Sequence, residues 1–114
     1  MNREPKISVI MSVFNGSKFL ADAIQSILNQ TFKEFELIIV DDGSTDNSLN
    51  IIRSFESADS RIKVISKLNE GLAKSLNAAI SASQGDFIAR MDADDISYKN
   101  RLEKQHEYMQ KNKS

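Results

Sequence analysis

Phe87-Ile88-Ala89-Arg90-Met91-Asp92-Ala93-Asp94-Asp95 runs an apolar segment directly into three carboxylates within four residues. The apolar part, taken as Asp86 to Met91, is short and reads as a buried strand. A buried strand that ends in clustered acids places those acids at one edge of a sheet. Carboxylates crowded this closely repel one another, which raises their pKa values unless a cation sits among them. Hard oxygen ligands at such density suit Mg²⁺ or Mn²⁺. A polar turn capping the next helix is the competing use; one Asp would serve it, and three are present.

Working outward, the same grammar repeats. Ile7 to Phe14 is β-branched and nearly all apolar, the pattern of a strand covered on both faces. Asn15-Gly16 breaks it, and Phe19, Leu20, Ala23, Ile24, Ile27 and Leu28 then recur at helical spacing over Ser17 to Asn29. Phe35 to Val40 is a second strand, ending in Asp41-Asp42-Gly43-Ser44-Thr45-Asp46. A helix follows with Leu49, Ile52 and Phe55 on one face and Asp46 or Ser44 as its cap. Arg61 to Ser66 is a third strand. Asn69-Glu70-Gly71 opens a third helix whose predicted buried stripe is Leu72, Leu76, Ala79 and Ile80, with Gly85 as its C-terminal glycine. Asn100 to Lys111 carries Leu102, His106 and Met109 as a weaker amphipathic helix.

Strands alternating with helices predict an α/β fold: an open, mainly parallel sheet with helices on both faces and right-handed crossovers. In such sheets ligands bind beyond the carboxyl ends of the strands, at a switch in strand order. The unusual polar residues fall at those ends: Ser12 and Asn15 after strand one, Asp41 and Asp42 after strand two, and Asp92, Asp94 and Asp95 after strand four. If strands four, one and two are neighbours, the three groups converge on one crevice.

Composition narrows the function. The chain has 114 residues, 40% hydrophobic, with net charge −1 and no Cys. That suffices for one domain with a core. The charge gives no electrostatic footprint for nucleic acid or an anionic membrane. Without Cys there is neither a disulfide framework nor a thiolate zinc site. No apolar run approaches the ~20 residues that span a bilayer. The polar start, Met1 to Lys6, does not read as a signal peptide. A soluble, cytoplasmic domain is the expectation.

Several side chains admit two readings. Asp42 at a strand end can accept hydrogen bonds from a sugar hydroxyl or a base N–H, while Asp41-Asp42-Gly43-Ser44 also reads as a capping turn. Lys74, with Asn69 and Asn77, stands where a helix start and a cation can hold a diphosphate; it equally suits a solvated face. His106, the single His, falls on the apolar side of its helix and is expected to pack. Met11, Met91 and Met109 read as core filler, and Phe32 as an anchor between helix one and strand two. There is no Ser/His/Asp arrangement and no Cys nucleophile. Neither a G-x-G-x-x-G nor a G-x-x-x-x-G-K-[ST] occurs, which removes the dinucleotide-binding and P-loop readings.

Four segments in this order, Ile7 to Asn15, Phe35 to Asp46, Asn69 to Leu72 and Gly85 to Asp95, resemble family 2 glycosyltransferases. The resemblance spans Lys6 to about Met109 and implies the glycosyltransferase A type of fold. It implies an inverting enzyme whose donor is a nucleotide-diphosphate sugar, most often a UDP-sugar. Asp42 then matches the acid that binds the base, and Ser12 and Asn15 the loop lining the nucleotide. Asp92-Ala93-Asp94 matches the D-x-D motif, with Asp94 ligating Mn²⁺ or Mg²⁺ on the diphosphate and Asp92 beside the ribose and metal. Lys74 matches loosely a basic residue near the donor. Acids alone would repel a diphosphate, so a metal is needed to reverse the sign of the site.

An inverting transferase also needs a general base for the acceptor hydroxyl. In the family it lies well beyond the D-x-D motif, and no candidate follows Asp95 here. The chain is therefore expected to be the donor-binding half of a larger, truncated catalytic domain, inactive in sugar transfer alone. The implied partners are the nucleotide sugar and an acceptor glycan or lipid-linked saccharide, in polysaccharide biosynthesis. Peripheral membrane association through regions outside the chain, and self-association through an uncovered edge, are further expectations. A sugar-phosphate nucleotidyltransferase would need a Gly-rich basic loop after strand one, which Asn15-Gly16-Ser17-Lys18 matches poorly. A phospho-receiver domain would need an acid pair after strand one and an Asp after strand three, and both are missing. A non-catalytic nucleotide-binding or assembly module is the remaining alternative.

Overall fold

The two most apolar strands of the chain lie side by side in the middle of the sheet. In the computed structural model, which describes residues 5–112, the elements are β1 (Ile7–Val13), α1 (Ser17–Leu28), β2 (Phe35–Asp42), α2 (Ser48–Ala58), β3 (Ile62–Lys67), α3 (Leu72–Ala82), β4 (Phe87–Arg90) and α4 (Arg101–Lys111). All pairings are parallel and the order is β3-β2-β1-β4. Strands four, one and two are thus neighbours, as the convergence of their polar ends requires. The register carries Ile7↔Phe35 through to Val13↔Asp41 on one side of β1, and Ile7↔Phe87 to Ile10↔Arg90 on the other.

Alternation along β1 and β2 sorts the core into two layers. Ile7, Val9, Met11 and Val13, with Phe35, Leu37 and Ile39, pack against Leu20, Ile24 and Ile27 of α1, Ile52 of α2 and Leu102 of α4. Ile10, Ile38 and Val40 face the other way, onto Ala79 of α3. Helices cover both faces, as expected, and α3 is the helix of the second. His106 of α4 packs between two rings, with centroids 4.7 Å from Phe32 and 5.9 Å from Phe87. Met11 and Met91 are buried; Met109 is half-buried.

Several expectations need correction. On α3 the buried residues are Ser75 and Ala79, while Leu72 is 52% and Ile80 45% exposed. The contact line follows the smallest side chains, which let the helix approach the sheet, and the larger ones flank it. Gly85 does not close α3, whose flanking residue is Ser83 in extended conformation. A Cβ at Gly85 would stand 2.6 Å from the backbone N of Ser8, and the Gly85 N–H donates to Ser8 Oγ at 2.8 Å. Its glycine serves a close passage of β4's approach over β1. Ser8 in turn donates to the buried Glu36 carboxylate, which also accepts the Gln84 N–H at 2.7 Å and pairs with Lys63 at 2.7 Å. Burial alone would raise the Glu36 pKa; Lys63, Ser8 and Gln84 outweigh it and keep the carboxyl below its ordinary value. Strand bounds also shift: β1 stops at Val13, β2 continues through both acids to Asp42, β3 runs from Ile62 to Lys67, and β4 is confined to Phe87–Arg90.

Candidate active site at the carboxyl edge of the sheet

The loops after β1 and β2 are tied to each other by hydrogen bonds that begin at Asn15. Its backbone takes the left-handed conformation, φ 52°, which Asn tolerates better than most residues. That turn aims Asn15 Oδ1 at the next loop, where it accepts from the N–H of Thr45 (2.7 Å) and of Asp46 (3.3 Å), while the Asn15 N–H donates to Ser44 Oγ (3.0 Å). Helix starts leave unpaired N–H groups, and here each loop supplies the other's acceptors. Asp46 accepts from Ser17 N at 3.1 Å and from Ser48 N at 2.9 Å; Ser48 Oγ accepts from Gly16 N at 3.0 Å. Neither expected residue holds the cap position of α2, which is Asn47 without a side-chain cap bond; Asp46, one position earlier, accepts from the first helical N–H, that of Ser48. These hydrogen bonds, first those from Ser48, push the Asp46 pKa far below its ordinary value.

Beside this seam lies an open hollow of about 290 Å³ lined by Ser12, Phe14, Asn15, Gly16, Phe19, Ala93 and Asp94. Ser12, Asn15 and Asp94, more than seventy positions apart in the chain at the extreme, are thereby brought to one concavity. The sequence pattern puts Phe14 at the end of the covered first strand and Phe19 on the apolar stripe of the first helix, and the structure corrects both. They are 53% and 51% exposed, two aromatic faces open to solvent at the mouth of a polar cleft. Phe14 follows the last paired residue of β1, Val13, so its side chain lies beyond the sheet packing.

Asp42 sits elsewhere along the same edge. Its buried carboxylate accepts from the N–H of Glu70 (2.9 Å) and Gly71 (3.0 Å), with Lys67 Nζ 3.9 Å away. The Glu70 amide is the chief cause of a lowered pKa; burial opposes it, and Gly71, Ser75 and Lys67 reinforce it. Asp42 therefore anchors the segment that leads into α3. Asp41 takes the local turn instead, accepting from Ser44 N at 3.3 Å. Gly43 allows the two loops to touch: its φ is +74°, and a Cβ there would lie 2.6 Å from Asn69 N. Lys74 is exposed on α3, 3.6 Å from Glu70, outside the hollow. Asn69 donates to the Asp42 backbone O at 3.0 Å, and Asn77 faces solvent.

The acids after β4 form the third group. One carboxylate oxygen from each of Asp92, Asp94 and Asp95 lies within 4.8 Å of the others, and all three residues are exposed. A turn closes beneath them, Asp95 N to Asp92 O at 3.1 Å. Arg90 offers one countercharge, 3.3 Å from Asp92. Three anionic hard oxygens at that separation fit a small divalent cation such as Mg²⁺ or Mn²⁺.

The family description Glycosyl transferase family 2 matches residues 8–114. The chain belongs to that family. Relatives of this family 2 glycosyltransferase include the protein described as "Putative glycosyltransferase EpsE" of Bacillus subtilis (strain 168), 48% identical over 99% of this chain and 41% of EpsE. Glycosyltransferase GlyG of Streptococcus pneumoniae is 39% identical over 91% of this chain and 35% of its own length. Among solved structures, S. aureus TarS 1–349 in complex with UDP-GlcNAc superimposes with TM-score 0.86 at 31% identity, over 93% of this chain and 31% of TarS 1–349. A mannosyltransferase from Pyrobaculum calidifontis, PcManGT, solved with GDP-Man and Mn²⁺, shares the fold at TM-score 0.73 and 23% identity, over 81% of this chain and 28% of that one. The chain thus spans roughly two fifths or less of each of these relatives. The fold is the one the resemblance implied. Among the described residues no helix is long and apolar enough to cross a membrane.

Proposed function

We propose that this chain is the donor-binding half, residues 1–114, of an inverting, metal-dependent glycosyltransferase that draws on a UDP-sugar and serves an acceptor hydroxyl of a glycan or lipid-linked saccharide. One observation carries the reading: Ser12 at the end of β1, Asn15 after it and Asp94 after β4 share a hollow, with the other two acids of the cluster within reach. The likeness to TarS, whose structure contains UDP-GlcNAc, supports UDP as the nucleotide.

Each group has a distinct task in this reading. Ser12 and Asn15 border the nucleotide, and the exposed ring of Phe14 offers a stacking face for its base. Asp42, which holds the Asn69–Gly71 segment through the Glu70 and Gly71 amides and Asn69 Nδ2, is the acid assigned to the base side. Lys74 is the outermost basic contact to the donor. Asp94, with Asp92, would hold Mn²⁺ or Mg²⁺, and Asp92 also borders the ribose. A cation there supplies Lewis-acid stabilisation of the negative charge that grows on the departing diphosphate. The base that takes the acceptor's proton belongs, in this reading, to the part of the longer relatives that this chain does not span, so transfer by the chain alone is not expected.

Calorimetric titration of UDP with and without Mn²⁺ tests the proposal. Binding should require Mn²⁺ and disappear in Asp94→Ala. A flat trace with Mn²⁺ present, or UDP binding indifferent to both EDTA and the substitution, would overturn it.

A further inference from the structure

The segment 91–100 carries the acids yet contains neither helix nor strand. The acids themselves hold little: exposed side chains, with Arg90 the one ion-pair partner among the described residues, at Asp92. What fixes the segment lies downstream, where residues 97–102 are bound to the last turn of α1. Ser97 N donates to Ser26 Oγ at 3.0 Å, and Thr31 N donates to Lys99 O at 2.8 Å. Between them sits Gln30, fully buried. Its amide N–H groups donate to Ser26 O (3.2 Å) and Tyr98 O, and its Oε1 accepts from Leu102 N (2.9 Å).

We propose that Gln30 is a positioning residue for the acidic motif, a buried latch that fixes the returning limb of the acid-bearing loop to the end of α1. The proposal rests on the functional reading above for its consequence, not for its geometry. A side-chain amide has two N–H donors and one carbonyl, and here both donors and the carbonyl are engaged, so a single orientation of the amide satisfies all three partners. Burial denies water the chance to replace any of them, which makes the arrangement all-or-none. Tyr98 follows Asp95 by three positions, so little slack separates the latch from the last acid. The same helix starts at the wall of the hollow, next to Gly16. α1 is therefore a rigid strut with the hollow at one end and the acid loop clamped to the other.

Groups that orient metal ligands from behind commonly change metal affinity by about 10–100-fold when removed. Gln30→Met keeps the length of the side chain and removes all three hydrogen bonds. Ser26→Ala leaves the three Gln30 bonds in place and cuts only the adjoining Ser97 N–Ser26 Oγ bond, a milder release of the same limb, for use if Gln30→Met does not fold. Ile52→Ala, in the core beneath α2, serves as the control for general destabilisation. Two measurements are made on each: amide hydrogen exchange across Asp95–Leu102, and Mn²⁺ affinity by electron paramagnetic resonance. The latch variants should lose exchange protection over Asp95–Leu102 and weaken Mn²⁺ binding by about tenfold or more, with binding recovered at high Mn²⁺. Ile52→Ala should lower the melting temperature and leave both readouts unchanged. Unchanged exchange in both latch variants, or equal Mn²⁺ loss in Ile52→Ala, overturns the proposal. Failure of the unmodified chain to take up Mn²⁺ would sink the functional reading alone, and the exchange pattern would then decide the latch by itself.

Discussion

The two rims of the crevice are built on opposite plans. On the β1–β2 side, nearly every polar group is already matched: Asn15 to Thr45, Asp46 to two helix starts, Asp42 to two amides. On the β4 side, Asp92, Asp94 and Asp95 point their charge at solvent with one Arg beside them. The first rim is cross-linked before any ligand arrives and rigid because of it, with Asp41 Oδ1 as its buried exception. The second is held from behind, through α1, and left electrostatically unfinished in front. Under the proposed function this division suits the site, since preorganisation lowers the cost of binding a nucleotide and open carboxylates keep an entry path for a cation.

Substitutions can break or sharpen the contrast, and the largest effect should come from the finished rim. Gly43→Ala forces a Cβ to within 2.6 Å of Asn69 N at a positive φ. A loss of about 1–3 kcal/mol is expected from the clash, with more from backbone strain. Denaturant melts would check it, and stability within error of the parent would show the rim to be softer than described.

Asp42→Asn comes next. It removes the charge from two amide hydrogen bonds and should cost about 1–3 kcal/mol near neutral pH. The folded pKa of Asp42 is lowered. Its contribution is therefore fully present above the ordinary Asp value near 3.8 and is lost as the pH falls through the lower folded value. The gap in melting temperature between parent and variant should accordingly narrow below about pH 4. A gap that widens on acidification would contradict the assignment of Asp42 as the anchor.

Arg90→Gln, on the unfinished rim, should be the mildest. An ion pair this exposed contributes about 0.5 kcal/mol or less, so thermal melts should barely move. A shift comparable with that of Asp42→Asn would mean that the two rims are not so different.

The sequence disclosed the order of elements, the parallel sheet and the grouping of polar residues at strand ends, because buried strands and amphipathic helices have periods that survive without tertiary context. It disclosed Asp94 and its neighbours, since a run of acids after an apolar strand has few other uses. It placed Ala79 in the helix–sheet contact but not Ser75, a small polar residue that looks unremarkable next to Leu72 and Ile80. Gly85 resembled a helix ending because its true neighbour, Ser8, is 77 positions away. Gln30 gave no signal at all, being a polar residue at the end of a helix, where exposure is the usual expectation. What local pattern cannot carry is any role defined by a distant partner.

The central position of β1 has a consequence in time. β4 pairs with it in register, Ile7 against Phe87, so β1 waits for a strand about eighty residues further along the chain. Contacts separated by that much chain close slowly. During synthesis, the acidic loop cannot meet the Asn15 turn until about eighty further residues have emerged, so the crevice is assembled late, in one step, on a β1–β2 pair whose partners lie closer in sequence.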